Sequence, residues 1–217
     1  MSHFSPKQKT LLVATPLIVL LLICLFPALT HSLGTARGVG IALMLYWGGV
    51  CYGFGLAMVG RKNLKRLYAR PDNLRSKANT LNLALAILPV ALVFFTAFLP
   101  TATGITPRIL LLAALVAVIN ATAEELFWRG AFLVRFPQNA RYAIVFPLVL
   151  FVAWHIALAL IKGGHYQGGA VALLGGAAIM GLIWAILAWR TKSIYLSTLS
   201  HIGVNLLALP GVFLTNG

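Results

Sequence analysis

The stretch 109–134, ILLLAALVAVINATAEELFWRGAFLV, holds twenty-six residues, of which only Glu124, Glu125 and Arg129 carry charge. At 1.5 Å of rise per residue it is long enough to cross a hydrocarbon core of ~30 Å as a single helix. An ionised group near the bilayer centre costs roughly 2.5–3.5 kcal/mol on insertion scales, so such groups are kept where they are used. The whole chain contains three acidic residues, Asp72, Glu124 and Glu125. Two of the three stand side by side inside this spanning stretch, which marks it as the place to look for chemistry.

The rest of the 217-residue chain has the same character: 60% of it is apolar, 9% is charged and the mean hydropathy is +0.93. Such a composition describes a chain dissolved in lipid, not one wrapped around a soluble core. Apolar runs long enough to span, each needing ~20 residues, fall at 10–29, 38–60, 81–100, 109–134, 141–161, 170–189 and 194–214. They predict an all-α, polytopic transmembrane helix bundle of about seven helices (six to eight), forming a single integral membrane domain over 1–217. Lys7 and Lys9 precede the first run as they would in a signal peptide. The apolar stretch is longer than the usual ~7–15-residue signal core, so the run is expected to stay as a membrane helix. The longest polar connection, 61–80, is too short for a soluble domain.

A net charge of +14 raises nucleic acid as a partner, but the cations fall in particular loops, as the positive-inside rule requires. With the N-terminus cytoplasmic, Lys7, Lys9, Arg61, Lys62, Lys65, Arg66, Arg70, Arg75, Lys77, Arg135, Arg141, Arg190 and Lys192 lie on the inside; Arg37, Arg108 and Lys162 lie outside. Seven spans then leave the C-terminus extracytoplasmic. No nucleic-acid partner is expected. The basic 61–77 loop should rest on anionic headgroups, each nearby cation contributing ~1 kcal/mol. The compact form and short loops point to a prokaryotic plasma membrane.

Cys24 and Cys51 lack Cys-x-x-Cys spacing and read as packing residues. The glycine pairs 163–164 and 168–169 make a flexible loop, and Gly176 with Ala172 and Gly181 with Ala177 are expected as small-residue helix contacts. Trp128, Trp154, Trp184 and Trp189 are read as packing or interfacial aromatics. His3, His31 and His165 fall near water, away from any buried site.

Depth can be counted from the expected cytoplasmic ends. Glu124 lies eleven residues before Arg135, His155 fourteen after Arg141, and His201 and Asn205 nine and thirteen after Lys192. These separations correspond to ~16, ~21, ~13 and ~20 Å. Polar groups from three helices therefore share one layer. His201 and Asn205, Phe151 and His155, and Glu125 and Arg129 are each i,i+4 pairs that share a helix face. Phe151 can wall the imidazole of His155, and Glu125 can pair with Arg129. Because successive residues turn by ~100°, Glu124 should point to a different side from Glu125, leaving one to be structural while the other works.

Glu124-Glu125-x-x-x-Arg129, Phe151-x-x-x-His155 and His201-x-x-x-Asn205 resemble, in order, the three motifs of the CAAX prenyl protease and bacteriocin-processing family of intramembrane endopeptidases. The resemblance covers residues 120–206 and leaves the first two helices outside it. It implies a glutamic-type peptidase in which Glu124 and His155 activate water while His201 and Asn205 stabilise the oxyanion. It also implies a substrate that is a membrane-associated peptide or protein: a prenylated C-terminal tail, a peptide leader or a bacterial sorting tail. No residue selects among these. The resemblance implies no cofactor.

The residues support that chemistry on their own, since amide hydrolysis needs a base for water and donors where charge develops on the carbonyl oxygen. Glu125 and Arg129 are assigned to holding the helix and keeping a buried charge paired. A zinc version remains open, because Glu124, His155 and His201 could form a two-histidine, one-carboxylate site. There is no His-Glu-x-x-His motif, the lone aspartate cannot make a two-aspartate site, and Ser200 points ~100° away from its neighbour His201. From another class, a buried Glu, His and Arg layer also suits a proton- or ion-coupled transporter, or a non-catalytic scaffold. Lateral access between helices, near the fourth, is expected for a lipid-linked or membrane-spanning tail. The oligomeric state is not encoded in these motifs.

Overall fold

The computed structural model describes residues 4–71 and 77–216, without the side chains of Lys77 and Ala78. His3, Asp72 and Arg75, and the side chain of Lys77, thus lie outside the described residues. Among the described residues seven apolar helices are long enough to span: α1 (Pro6–Leu33), α2 (Thr35–Val59), α3 (Asn79–Gly104), α4 (Pro107–Arg135), α5 (Arg141–Ala159), α6 (Gly169–Thr191) and α7 (Tyr195–Asn216). Each matches an expected run to within four residues at either end, and no strand occurs among the described residues.

The helix starts are written locally. Ser5 and Gln8 form a reciprocal capping box ahead of α1, with Pro6 in the first turn where its missing N–H costs nothing. Thr106 caps α4 by accepting from Ile109 N–H at 3.3 Å, again with a proline following. Gly34, at φ +80°, turns the chain from α1 into α2 in a single residue. Four residues on, a Cβ at Gly38 would stand 2.5 Å from Thr30 Cα, so only glycine lets this hairpin close.

Burial is inverted relative to a water-soluble protein. Leu111 and Val171 are 74% and 85% exposed, whereas Glu125 is fully buried. Apolar side chains therefore face the lipid and the polar ones face each other, as a bilayer solvent requires. Helix α7 lies against α3, α4 and α6; α5 lies against α1 and α6. The first helix belongs to the bundle, burying Leu11, Val19, Leu22 and Phe26.

The expected small-residue contacts divide. A Cβ on Gly181 would meet Leu148 and Phe151 of α5 at 3.0 Å, so this glycine does allow close packing. Gly176 faces open space and Ala172 is exposed, which corrects that half of the expectation: this face of α6 meets lipid, not a helix. Cys24 and Cys51 are both free. Gly163, Gly168 and Gly169 all take positive φ in the α5–α6 connection.

The two ends of the bundle differ. At one, Lys7 Nζ donates to Ala57 O at 2.8 Å, Gln8 Nε2 to Arg135 O at 2.7 Å, and Lys192 Nζ to Pro137 O at 3.1 Å. The short helix Arg61–Leu67 buries Leu67 there. At the other, Asn216 near the end of α7 exchanges hydrogen bonds with His165 of the α5–α6 connection. The chain's two ends therefore lie at opposite ends of the bundle.

Two π-helical segments matter for the site. Helix α2 widens to i→i+5 bonding over Leu45–Phe54 and α4 over Glu125–Ala131, and these stretches pack on each other. Such turns reorient side chains and recur at functional sites.

Candidate active site

Glu124 closes the α-helical part of α4 and Glu125 opens its π segment; both are buried. Three partners converge on Glu124. Tyr46 of α2 donates its hydroxyl to Oε1 at 2.8 Å, Asn120 Nδ2 donates to Oε2 at 3.3 Å, and His201 Nε2 of α7 stands 3.5 Å from Oε2. The second carboxylate meets the opposite edge of the same ring, with His201 Nδ1 3.1 Å from Glu125 Oε1. The two glutamates do leave the helix in different directions, yet one imidazole on α7 bridges them.

The orientation of that ring is fixed from its face. Trp184 stacks on His201 with centroids 3.9 Å apart and planes 17° apart, and its Nε1 donates to Ser200 Oγ at 3.0 Å. Ser200 in turn donates to Ala86 O at 2.6 Å, so its hydroxyl is structural. A carboxylate on Nδ1 makes that nitrogen the donor and leaves Nε2 facing Glu124. The cluster then contains two carboxylates, one guanidinium and one imidazole. With His201 neutral this cluster carries one net negative charge, so one further proton shared by Glu124 and His201 would leave no uncompensated ion.

Arg129 sits one turn below Glu125, its Nη1 3.0 Å from Oε1. Nη1 makes no aligned hydrogen bond, so this contact is ionic, and Nη2 donates to Gly181 O at 3.3 Å. The guanidinium lies 4.2 Å above the centroid of Phe151, a cation–π contact that ties the ion pair to α5. Phe151 also packs edge-on against His155 at 4.7 Å. His155 Nδ1 is 2.7 Å from Phe151 O. A carbonyl only accepts, so Nδ1 carries the proton and Nε2 keeps its lone pair.

The structure joins Glu124 directly to His201, while His155 makes its hydrogen bond to Phe151. A chain of aromatic contacts links it to Glu124: Trp154 packs 4.7 Å from His155 and, tilted, 4.3 Å from Tyr46, which holds the carboxylate. Asn205 lies one turn beyond His201 on α7, and its Nδ2 is buried without an acceptor. Trp154 Nε1 is orphaned in the same way. Unmet buried donors are costly and rare, so these two, together with Arg129 Nη1 and Thr198 Oγ1, need a reason.

Four contributors escaped the sequence motifs. Asn120 and Trp128 stand four residues either side of Glu124 and could have been found by helical spacing. Trp184 packs as expected, and what it packs on is His201. Tyr46 carries no local signal, because it sits in the half without motifs and reaches the layer only through the crossing of α2 and α4. Trp128 Nε1 donates to its hydroxyl at 2.7 Å.

Among the described residues no group of three His, Cys, Asp or Glu side chains is arranged to hold a metal ion. Two cavities, of about 710 and 410 Å³, lie at opposite ends of the bundle and neither is lined by these residues.

Residues 106–207 match the family described as type II CAAX prenyl endopeptidase, Rce1-like. The match runs from the cap of α4 into α7 and holds Glu124, Glu125, Arg129, Phe151, His155, His201 and Asn205, but not Tyr46. Neither the curated proteins nor the solved structures contain a match to the chain. The helices α4 to α7, which carry the motif residues of this polar layer, are similar to the Rce1-like family of type II CAAX prenyl endopeptidases.

Proposed function

We propose that the chain is an intramembrane endopeptidase in which Glu124 activates water against a peptide bond of a membrane-associated or lipidated substrate. The observation that carries this reading is the His201 bridge, which leaves Glu124 with a proton partner at 3.5 Å while Glu125 and Arg129 absorb the structural charge. At 3.5 Å the contact is longer than the ~2.7–2.9 Å of a committed charge-assisted bond, so Nε2–H can be shared with a second acceptor brought beside it.

Water bound between Glu124 and the Nε2 lone pair of His155 loses a proton to this pair as its oxygen attacks the scissile carbonyl. Negative charge develops on the carbonyl oxygen and is met by His201 Nε2–H and by the otherwise unused Asn205 Nδ2. Glu124 then returns the proton to the departing amine as the C–N bond breaks. The orphaned donor of Asn205 makes sense in this scheme, because its acceptor exists only once substrate is present. Glu125 and Arg129 hold α4, and Phe151 fixes His155.

No cofactor enters this scheme. Substrates reach the layer laterally, by parting of helices near α4. The N-terminus faces the cytoplasm and the C-terminus the outside of a plasma membrane. The gathering of Lys7, Arg135 and Lys192 at one end of the bundle supports that orientation.

The test compares membranes from cells expressing the native chain or Glu124→Gln, seeking peptides truncated only with the native form. It is repeated on purified protein with a zinc chelator. Truncation that needs Glu124 and survives chelation is expected. Its loss on chelation would replace this scheme with a zinc protease, and identical peptide sets would end the protease reading in favour of a transporter or scaffold.

A further inference from the structure

A cavity of about 710 Å³ opens at the basic end of the bundle, between the short helix Arg61–Leu67, the start of α3 and the corner joining α6 to α7. Arg66, Arg70, Arg190 and Lys192 line it, and no described lining residue is acidic. Four cations from two chain segments around one concavity repel each other unless an anion sits among them.

Among the described lining residues this charge is left over. Asn82, only 4% exposed, accepts from Arg190 Nε at 2.8 Å and thereby aims the guanidinium. The carbonyls ending the short helix would otherwise attract the cations. They are already occupied: Ser193 Oγ reaches Leu67 O at 2.9 Å and Ala69 O at 2.7 Å, and Ile194 N–H donates to Leu67 O at 2.8 Å. Lys192 is held by Pro137 O at 3.1 Å and lies 3.4 Å over the Trp189 ring. Partial burial lowers its pKa, so an anion beside it would favour the charged form.

Position indicates the kind of anion. The lining includes Asn79 at the start of α3 and Thr191 at the end of α6, so the cavity sits where spanning helices leave the hydrocarbon, at headgroup depth. Guanidinium groups suit phosphate oxygens through paired N–H bonds, and basic recesses between spanning helices suit lipid headgroups. We propose that this cavity binds the phosphate of an anionic phospholipid headgroup, with Arg66, Arg70 and Arg190 contacting the phosphate and Lys192 at its edge. The site is separate from the glutamate layer and does not depend on the protease reading.

The experiment is native mass spectrometry of the full chain in an uncharged detergent. The probes are phosphatidylglycerol, phosphatidylcholine with the same acyl chains, and inorganic phosphate. One retained phosphatidylglycerol is expected, with phosphatidylcholine and inorganic phosphate much weaker. Arg66→Gln with Arg190→Gln should weaken phosphatidylglycerol about 10- to 30-fold, at the usual contribution per interfacial cation. Arg37→Gln with Arg108→Gln, which removes cations assigned to the opposite side, should leave it unchanged. Because Arg190 is bonded to Asn82, the exposed pair Arg66→Gln with Arg70→Gln provides a variant that disturbs no such bond, and it should show a comparable loss. Equal retention of the two lipids, or equal loss in the control pair, would overturn the proposal. Inorganic phosphate binding as tightly as phosphatidylglycerol would overturn the lipid assignment.

Discussion

Tyr46 and Glu124 stand 78 positions apart in sequence, yet the phenol hydroxyl donates to the carboxylate at 2.8 Å. The same oxygen receives Trp128 Nε1, so Glu124 is anchored by a relay that begins on its own helix and returns to it through α2.

Tyr46→Phe keeps the ring packed on Trp154 and removes that relay. It leaves Trp128 N–H unpaired, costing ~1–3 kcal/mol. By freeing Glu124 to move, it should also lower kcat ~10- to 100-fold, as misplacement by about an ångström does. Peptide turnover alongside thermal melting in detergent measures both. Full turnover with a lowered Tm would make Tyr46 a packing residue only.

The paired glutamates should separate stability from activity. Glu125→Gln leaves the buried guanidinium of Arg129 without its counter-charge, a loss of ~3–5 kcal/mol. Glu124→Gln removes a charge shared with His201 and should abolish cleavage with a smaller change in Tm. Adding Arg129→Gln to Glu125→Gln should restore part of the lost stability, since no lone charge then remains. Melting curves showing the two single variants equally destabilised would contradict this division.

Asn205→Ala deletes a donor that has no partner in the resting chain. Stability should hold or rise slightly, because an unmet buried donor is itself a cost. The rate should fall ~10²–10³-fold if the amide meets the oxyanion. The informative comparison is kcat against Tm; a lowered Tm with unchanged kcat would return Asn205 to a structural role.

Lateral access can be mapped with tryptophan placed on exposed faces: Leu111, Leu115 and Val118 on α4, Val149 and Ile156 on α5, and Leu199 on α7. Substitution at the admitting face should reduce kcat/KM several-fold while leaving Tm in place, and the other faces should be indifferent. Uniform activity at all positions would rule out passage between these helices.

The chain itself determined the spans, because twenty apolar residues in lipid have one stable way to satisfy their backbone, as a helix. It also determined which side chains share a face, since i,i+4 spacing is local geometry. Glu125 meets Arg129, Phe151 walls His155, and the family match covers all seven residues singled out. Tertiary structure alone decided which histidine touches Glu124, for counting depth along separate helices places groups in a layer without saying how the helices are rotated within it. His201 touches both carboxylates because α7 packs directly on α4 and Trp184 of α6 fixes the ring from behind. Tyr46 entered the site for the same reason: its position follows from the crossing of two π-widened helices, a contact between distant segments that no spacing along the chain encodes.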